Sequence, residues 1–295
     1  MSRETNIGSV ITRFWLSAAI LLTVIAALVL PGPALVLPRF HVIDIGVVII
    51  MFMGSLKLTP RCFKEAASRS PLVALSVVSV FGLAPLISLG IGSLVGFTSD
   101  ADRLGILICS AQATTLATAI VLTEVAGGDV ALAMVMTVVN NLSAVLLTPL
   151  VFRVLGGTVI RVDYLAMTLE MTLTVASQLI ILIYIYCGVG AGIDRLAGGV
   201  GILLHVIVLV ILFHAALLLV NAIIGRILTP LPGSRVAFIL CSSQKTLPIA
   251  ILLWKSYFPA LPLGPLVAAA YHIVQLTTDS ILAPGALKLP LVRRL

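Results

Sequence analysis

One lysine, Lys245, stands about nine residues from either end of an apolar run at 236–255, between Gln244 and Thr246. At the helical rise of about 1.5 Å per residue it lies roughly 14 Å deep, too far for its stem to bring the ammonium to an interface. A cation held there needs carbonyl dipoles, a counter-charge or an anionic ligand, and it is a candidate carrier for a coupled proton. The same setting occurs earlier without the lysine. Cys109-Ser110-Ala111-Gln112-Ala113-Thr114-Thr115-Leu116 returns as Cys241-Ser242-Ser243-Gln244-Lys245-Thr246-Leu247, with Ala113 opposite Lys245. Beyond each copy, a second apolar run holds polar side chains: Thr137, Asn140 and Asn141 after the first, His272 and Gln275 after the second. Polar, β-branched and Pro-interrupted segments at matching places in two halves of an apolar chain mark broken helices around a carrier's central site.

The chemistry these residues offer is ion and ligand binding, and the substrate- or ion-binding set is Lys245, Gln244, Gln112, Thr115, Thr246, Thr137, Asn140, Asn141, His272 and Gln275. Gln112 and Gln244 recur beside both breaks and are the first candidates for substrate contact. Thr114, Thr115 and Thr246 can instead satisfy freed backbone groups. His272 and Gln275, with Asp279 two turns on, read equally as a proton relay or ligand set and as helix-to-helix hydrogen bonding. Asn140 and Asn141 flank Thr137 and are expected to pair across to the crossing. His205 and His214 are nine apart on one run, which is not the i, i+4 spacing of a ligand pair.

Bond-making chemistry finds no support. The chain has no HExxH, no GxGD (Ala126-Gly127-Gly128-Asp129 fails the first glycine) and no Gly-rich phosphate loop, so neither an enzyme nor a cofactor nor a metal centre is predicted. Cys62, Cys109, Cys187 and Cys241 form no CxxC pair and no disulfide framework. The matched pair Cys109 and Cys241 leaves open a soft-ligand carrier, an exporter of arsenite or a similar metalloid.

The elements that position these residues follow from composition. A mean hydropathy of +1.23, with 60% hydrophobic and 10% charged residues, suits a chain whose outer surface faces lipid. The net charge of +7 does not imply nucleic acid, because the Lys and Arg residues cluster in short loops and at the ends, as topology signals do. Runs long enough to cross lie at about 14–30, 41–57, 71–97, 104–126, 129–152, 199–223, 236–255 and 263–286, and the first is read as a retained helix rather than a cleaved signal. The stretch at 163–190 is apolar but too short for two ordinary spans. Lys57, Arg61, Lys64 and Arg69 place the second loop inside and Asp100 and Asp102 the next outside, so the N-terminus is cytoplasmic in a cell membrane. Arg226, Arg235, Lys288, Arg293 and Arg294 then fall inside if 156–198 begins and ends outside. The expectation is an all-α polytopic membrane protein of two inverted five-helix repeats, 1–155 and 156–295. It has ten nominal helices, the sixth and seventh reduced to a hairpin within about 163–193; nine spans is the alternative.

The repeat extends further: Leu146-Leu147-Thr148-Pro149 aligns with Ile281-Leu282-Ala283-Pro284, which sets Thr137 opposite His272 and Asn140 opposite Gln275. Together with Met51-Phe52-Met53-Gly54-Ser55-Leu56-Lys57-Leu58, Ala126-Gly127-Gly128-Asp129 and the Cys241–Leu247 segment, these residues resemble the bile acid:sodium symporter superfamily. Within it they are most similar to the branch of solute carrier family 10 member 7 and its bacterial relatives. The resemblance covers nearly the whole chain except 160–195. It implies inverted repeats, unwound fourth and ninth helices that cross, and a core domain that moves against a panel. In sodium-coupled relatives the first sodium site uses a Ser-Asn pair, two helix-five hydroxyls and a Glu. Here those positions read Ala119-Ile120, Ala133 and Thr137, and Leu240 or Cys241, a set too poor in oxygen for sodium. The reading is a secondary transporter of a small organic anion, working by alternating access, in which Lys245 replaces the cation. The coupling proton or ion is left open, and a degenerate, non-transporting regulator is the competing class.

Overall fold

The computed structural model describes residues 70–156, 200–247 and 264–293 continuously, with isolated positions within 22–32 and at 250, 253, 254 and 258. Most of the expected first span, the second span with its Met51–Leu58 motif, and the 163–193 segment lie outside the described residues, and so does the choice between nine and ten crossings. Among the described residues every regular element is helical. The elements are α1 (Ser70–Val78), α2 (Ala84–Val95), α3 (Asp100–Ser110), α4 (Leu116–Val125), α5 (Val130–Leu155), α6 (Val200–Leu228), α7 (Pro232–Ser243) and α8 (Gly264–Leu282). Four stretches are long and apolar enough to cross a membrane: Ser70–Val95, Val130–Leu155, Gly201–Leu228 and Leu266–Lys288. The described residues are all-helical, and their apolar spans are those of a multi-pass membrane protein.

Polarity runs inside out. On α5, Leu142, Leu146, Leu150 and Val154 follow an i, i+4 row and are exposed, while Ala133, Thr137, Asn140, Ala144 and Thr148 are buried on the opposite side. The apolar row meets lipid, and the polar row is turned inward, where other helices supply its hydrogen bonds. α6 behaves likewise, with Leu204, Val208, Ile211 and Leu212 outward and Val206, Leu209, Phe213, His214 and Asn221 buried.

The run expected at 71–97 is one span with a defect. Between α1 and α2 the backbone takes a single π turn, Ser79–Leu83, in which the Ala84 N–H reaches back five residues to the Ser79 carbonyl. In that register the Val80 carbonyl looks to residue 85, which is proline and has no N–H to give. The runs expected at 104–126 and 236–255 are broken. Residues 111–115 separate α3 from α4, and Gln244–Thr246 interrupt the second run before helix resumes at Leu247. After α8, Pro284 withholds another N–H, and the chain tightens into a 3₁₀ turn over Ala283–Lys288.

The ends on one side are tied together. Asp129 caps α5 by accepting from the Leu132 N–H (3.1 Å), and its own N–H donates to the Gly233 carbonyl (2.9 Å) at the start of α7. Gly127 has φ +70°, and Gly128 has no room for a side chain: a Cβ there would stand 2.7 Å from Thr123 Cγ2 and from Val236 Cγ1. The Ala-Gly-Gly-Asp motif is thus a junction between two helix starts. Gly128→Ala is expected to lower the thermal stability of the purified protein by about 1–3 kcal/mol through overpacking. Gly90→Ala, where nothing lies within 4 Å of the added carbon, serves as the control. Buried Arg235 donates to the carbonyls of Thr229 (2.7 Å), Val292 (3.1 Å) and Arg293 (2.9 Å), and Arg226 donates to that of Pro290. These bonds strap residues 290–293 over the same end, the side that the charge pattern assigns to the cytoplasm.

Candidate functional site at the junction of the two breaks

The two breaks touch: the Thr246 N–H donates to the Ala113 carbonyl at 2.8 Å. Unwinding frees backbone groups that lipid cannot satisfy, and side chains of α5 and α8 take them up. In the first break, Asn141 Nδ2 donates to the carbonyls of Thr114 (2.9 Å) and Thr137 (2.8 Å), and Thr148 Oγ1 to that of Ala111 (2.8 Å). Asn140 Nδ2 donates to Ser76 Oγ (2.8 Å) and Thr114 Oγ1 (3.0 Å), and the Thr114 hydroxyl donates to the Cys241 carbonyl.

In the second break one side chain grips Lys245 by its backbone. Gln275 Oε1 accepts from the Lys245 N–H (2.8 Å), and its Nε2 donates to the Lys245 carbonyl (2.8 Å). The same Nε2 approaches His272 Nδ1 at 2.8 Å, which must therefore accept, so His272 carries its hydrogen on Nε2. Gln244 links three elements: its Oε1 accepts from Thr115 and Thr118 (3.0 Å for the latter), and its Nε2 donates to Asp279 Oδ2 (2.8 Å).

The Lys245 ammonium reaches away from its own break and donates to the Val80 carbonyl at 2.8 Å, the group that Pro85 leaves without a donor. Lys245 is 1% exposed, and no carboxylate lies within 4 Å of its Nζ among the described residues. Its two other N–H bonds find no partner among those residues. Lys245 also lines a void with Cys109, Thr246, Leu247, Tyr271 and His272, too tight for a water molecule.

The predicted residues do not all do the same kind of work. Gln112 and Gln244, alike in sequence, differ in place: Gln112 Nε2 donates to the Ile108 carbonyl of the preceding α3 (2.8 Å), and its Oε1 is buried without a partner among the described residues. Thr137 Oγ1 lies 3.7 Å from Cys241 Sγ, whose thiol also points to the Ala133 carbonyl (3.6 Å). Ala119, Ala133 and Cys241 are fully buried in one apolar cluster with Phe238 and Met136. Cys109 belongs to a different cluster, so the two thiols do not form a shared site.

Sequence reasoning passed over three participants. Val80 with Pro85 was signalled by a proline inside an apolar span. His214, set aside for its spacing from His205, bonds to Asp279 Oδ1 through Nε2 (3.0 Å) and to the Tyr271 hydroxyl through Nδ1 (3.2 Å). Tyr271 in turn donates to the Ser243 carbonyl at 2.9 Å.

A sequence model of one family, described as the SBF-like CPA transporter family, matches residues 14–181 and again 173–288. The chain belongs to that family. The match reaches both sides of the junction and runs through the 160–195 stretch that the residue-level resemblance left uncovered. It bears out membership in the bile acid:sodium symporter type of carrier and makes the chain a member of a membrane transporter family. No curated protein matches the chain significantly.

Proposed function

We propose that this family member carries a small organic anion across the membrane by alternating access between two inverted repeats, residues 1–155 and 156–295. The observation that carries the reading is the placement of Lys245: a buried lysine at the junction of two helix breaks, its Nζ donating to one carbonyl, with no carboxylate in reach among the described residues. A buried charge without its opposite is costly, and an anion is the ligand that removes the cost. The tight void beside it fits an occluded state that opens when the halves move, rather than a standing pocket.

Lys245 takes the cation's place in this reading. Of the positions that the resemblance gives for sodium, Ala119-Ile120, Ala133, Thr137 and Leu240 or Cys241, only Thr137 carries a side-chain oxygen; Ala119, Ala133 and Cys241 lie in one apolar cluster and Leu240 in another. A hard cation needs several oxygens, which this set does not supply. The likeness to the branch of solute carrier family 10 member 7 belongs to the same proposal. The test is a thermal-shift series on the detergent-purified protein with bile acids, other organic anions and arsenite, each with and without sodium. An anion at 100 times its Kd stabilises by about 2.7 kcal/mol, and the expected shift is the same in both salts. A shift that requires sodium would overturn the missing site. Stabilisation by arsenite alone would favour the metalloid carrier, and no shift with anything would favour the non-transporting regulator.

A further inference from the structure

α6 carries two histidines, and each faces a carboxylate that another helix supplies. At His214 the hydrogen atoms can be counted. Tyr271 gives its one hydroxyl proton to the Ser243 carbonyl, which only accepts. Toward His214 Nδ1, 3.2 Å away, the hydroxyl is therefore the acceptor, and Nδ1 bears a hydrogen. Nε2 then faces Asp279 Oδ1 at 3.0 Å. Two lone pairs do not hold that contact, so one further proton lies between ring and carboxylate, whichever of them keeps it. The pair is 1% and 0% exposed. With the proton it is neutral overall; without it, a buried carboxylate is left whose remaining donor is Gln244 Nε2.

Nine residues earlier, roughly 14 Å along the helix, His205 Nε2 stands 3.8 Å from Asp102 Oδ2 on α3. Asp102 is fully buried, yet among the described residues its Oδ1 has no hydrogen-bond partner, and neither has His205 Nε2. Closing the gap by about 1 Å would make a hydrogen bond. This pair lies where α6 begins, close to the outer end of the span. Other titratable groups near the inner pair are Tyr271, already bonded to it, and Cys109, Lys245 and His272, which line the void beside Tyr271. α2 and the π turn bring no ionisable side chain, and the Cys241 thiol on α7 is engaged with Thr137 and Ala133. Around the outer pair, Thr98 and Ser99 are the bonded neighbours, and Arg103 points to the exterior.

We propose that α6 is a proton path: the His205–Asp102 pair is its entry, and the His214–Asp279 pair holds the proton against the second helix break. One H⁺ binds and the same H⁺ leaves, and the inner pair changes from net zero to net −1. This rests on the anion reading and adds its coupling. With the proton bound, the Lys245 charge stands alone and favours an anion. With the proton gone, Asp279 offsets that charge through the low-dielectric interior and the anion loses its attraction. Proton and anion therefore bind together and move in the same direction.

Infrared difference spectroscopy of the full chain in lipid, recorded through stepped pH changes with no substrate present, tests the proton site separately from the anion. The wild type is expected to show a carboxyl or imidazole-ring signal that both Asp279→Asn and His214→Gln remove. After a rapid pH jump, Asp102→Asn should keep the signal but slow it by roughly a hundredfold, the low end of what a positioned acid or base contributes. A signal unchanged in either inner variant, or absent from the wild type, overturns the proposal. A signal that Asp102→Asn leaves equally fast overturns the entry. If neither inner variant folds, Tyr271→Phe decides: it removes the acceptor of the Nδ1 hydrogen and must shift the same bands, and bands indifferent to it overturn the assignment.

Discussion

Lys245→Met keeps the fold and abolishes the response to anions. Methionine has nearly the length of the lysine stem and no charge, so it fills the same space while relieving a buried cation that has no carboxylate in reach among the described residues. Replacing buried charge by apolar volume is often neutral or stabilising. Against that stands the Val80 carbonyl, which loses its donor at a cost of about 1–3 kcal/mol. The two effects oppose each other, and the ligand-free protein should melt within a few degrees of the wild type. The anion effect has no such compensation: the stabilisation of about 2.7 kcal/mol expected at 100 times Kd falls to zero. Uptake into proteoliposomes should vanish with it. A Lys245→Met protein that still shifts with the same anion, or still takes it up with the same pH dependence, would remove Lys245 from the binding site.

Gln275→Ala acts on the fold instead. The Gln275 side chain is fully buried and satisfies both the N–H and the carbonyl of Lys245, each at 2.8 Å. Truncation strands a donor and an acceptor where no water reaches, and it also deprives His272 Nδ1 of its donor. At about 1–3 kcal/mol for each of the three groups left without a partner, the loss should be about 3–9 kcal/mol, the largest of any single change considered. Gln275→Glu separates the parts, because a carboxylate can still accept from the Lys245 N–H but cannot give to its carbonyl. Denaturation in mild detergent should rank wild type above Gln275→Glu and Gln275→Glu above Gln275→Ala. Equal melting of all three would mean that the second break is held by something other than Gln275.

The legible part of this chain was the part written in local chemistry. Hydropathy located every described span, because a lipid-facing row must be apolar whatever packs behind it, as Leu142, Leu146, Leu150 and Val154 show on α5. The repeated Ser-x-Gln-x-Thr segments marked the breaks, since a helix that unwinds in lipid must bring its own polar partners. What could not be read was which partner answers which group. Gln112 and Gln244 look equivalent along the chain, yet one turns back on the preceding α3 and the other reaches Asp279 on α8. His205 and His214 fail as a pair by spacing, and each finds its carboxylate on a different helix, a pairing set by packing and not by sequence distance. The two breaks are also tied into the fold by different chemistry. Asn140 joins the first to Ser76 of α1 through neutral groups; Asp279 and Tyr271 join the second to His214 of α6 through ionisable ones.

Pro85 and Lys245, 160 positions apart in the chain, are coupled by the Val80 carbonyl that they share. The proline without the lysine would leave a stranded carbonyl, and the lysine without the proline would set an amine competing for a carbonyl that a backbone N–H could use. The effect of a residue at 245 therefore depends on the residue at 85, and substitutions at the two positions should not add.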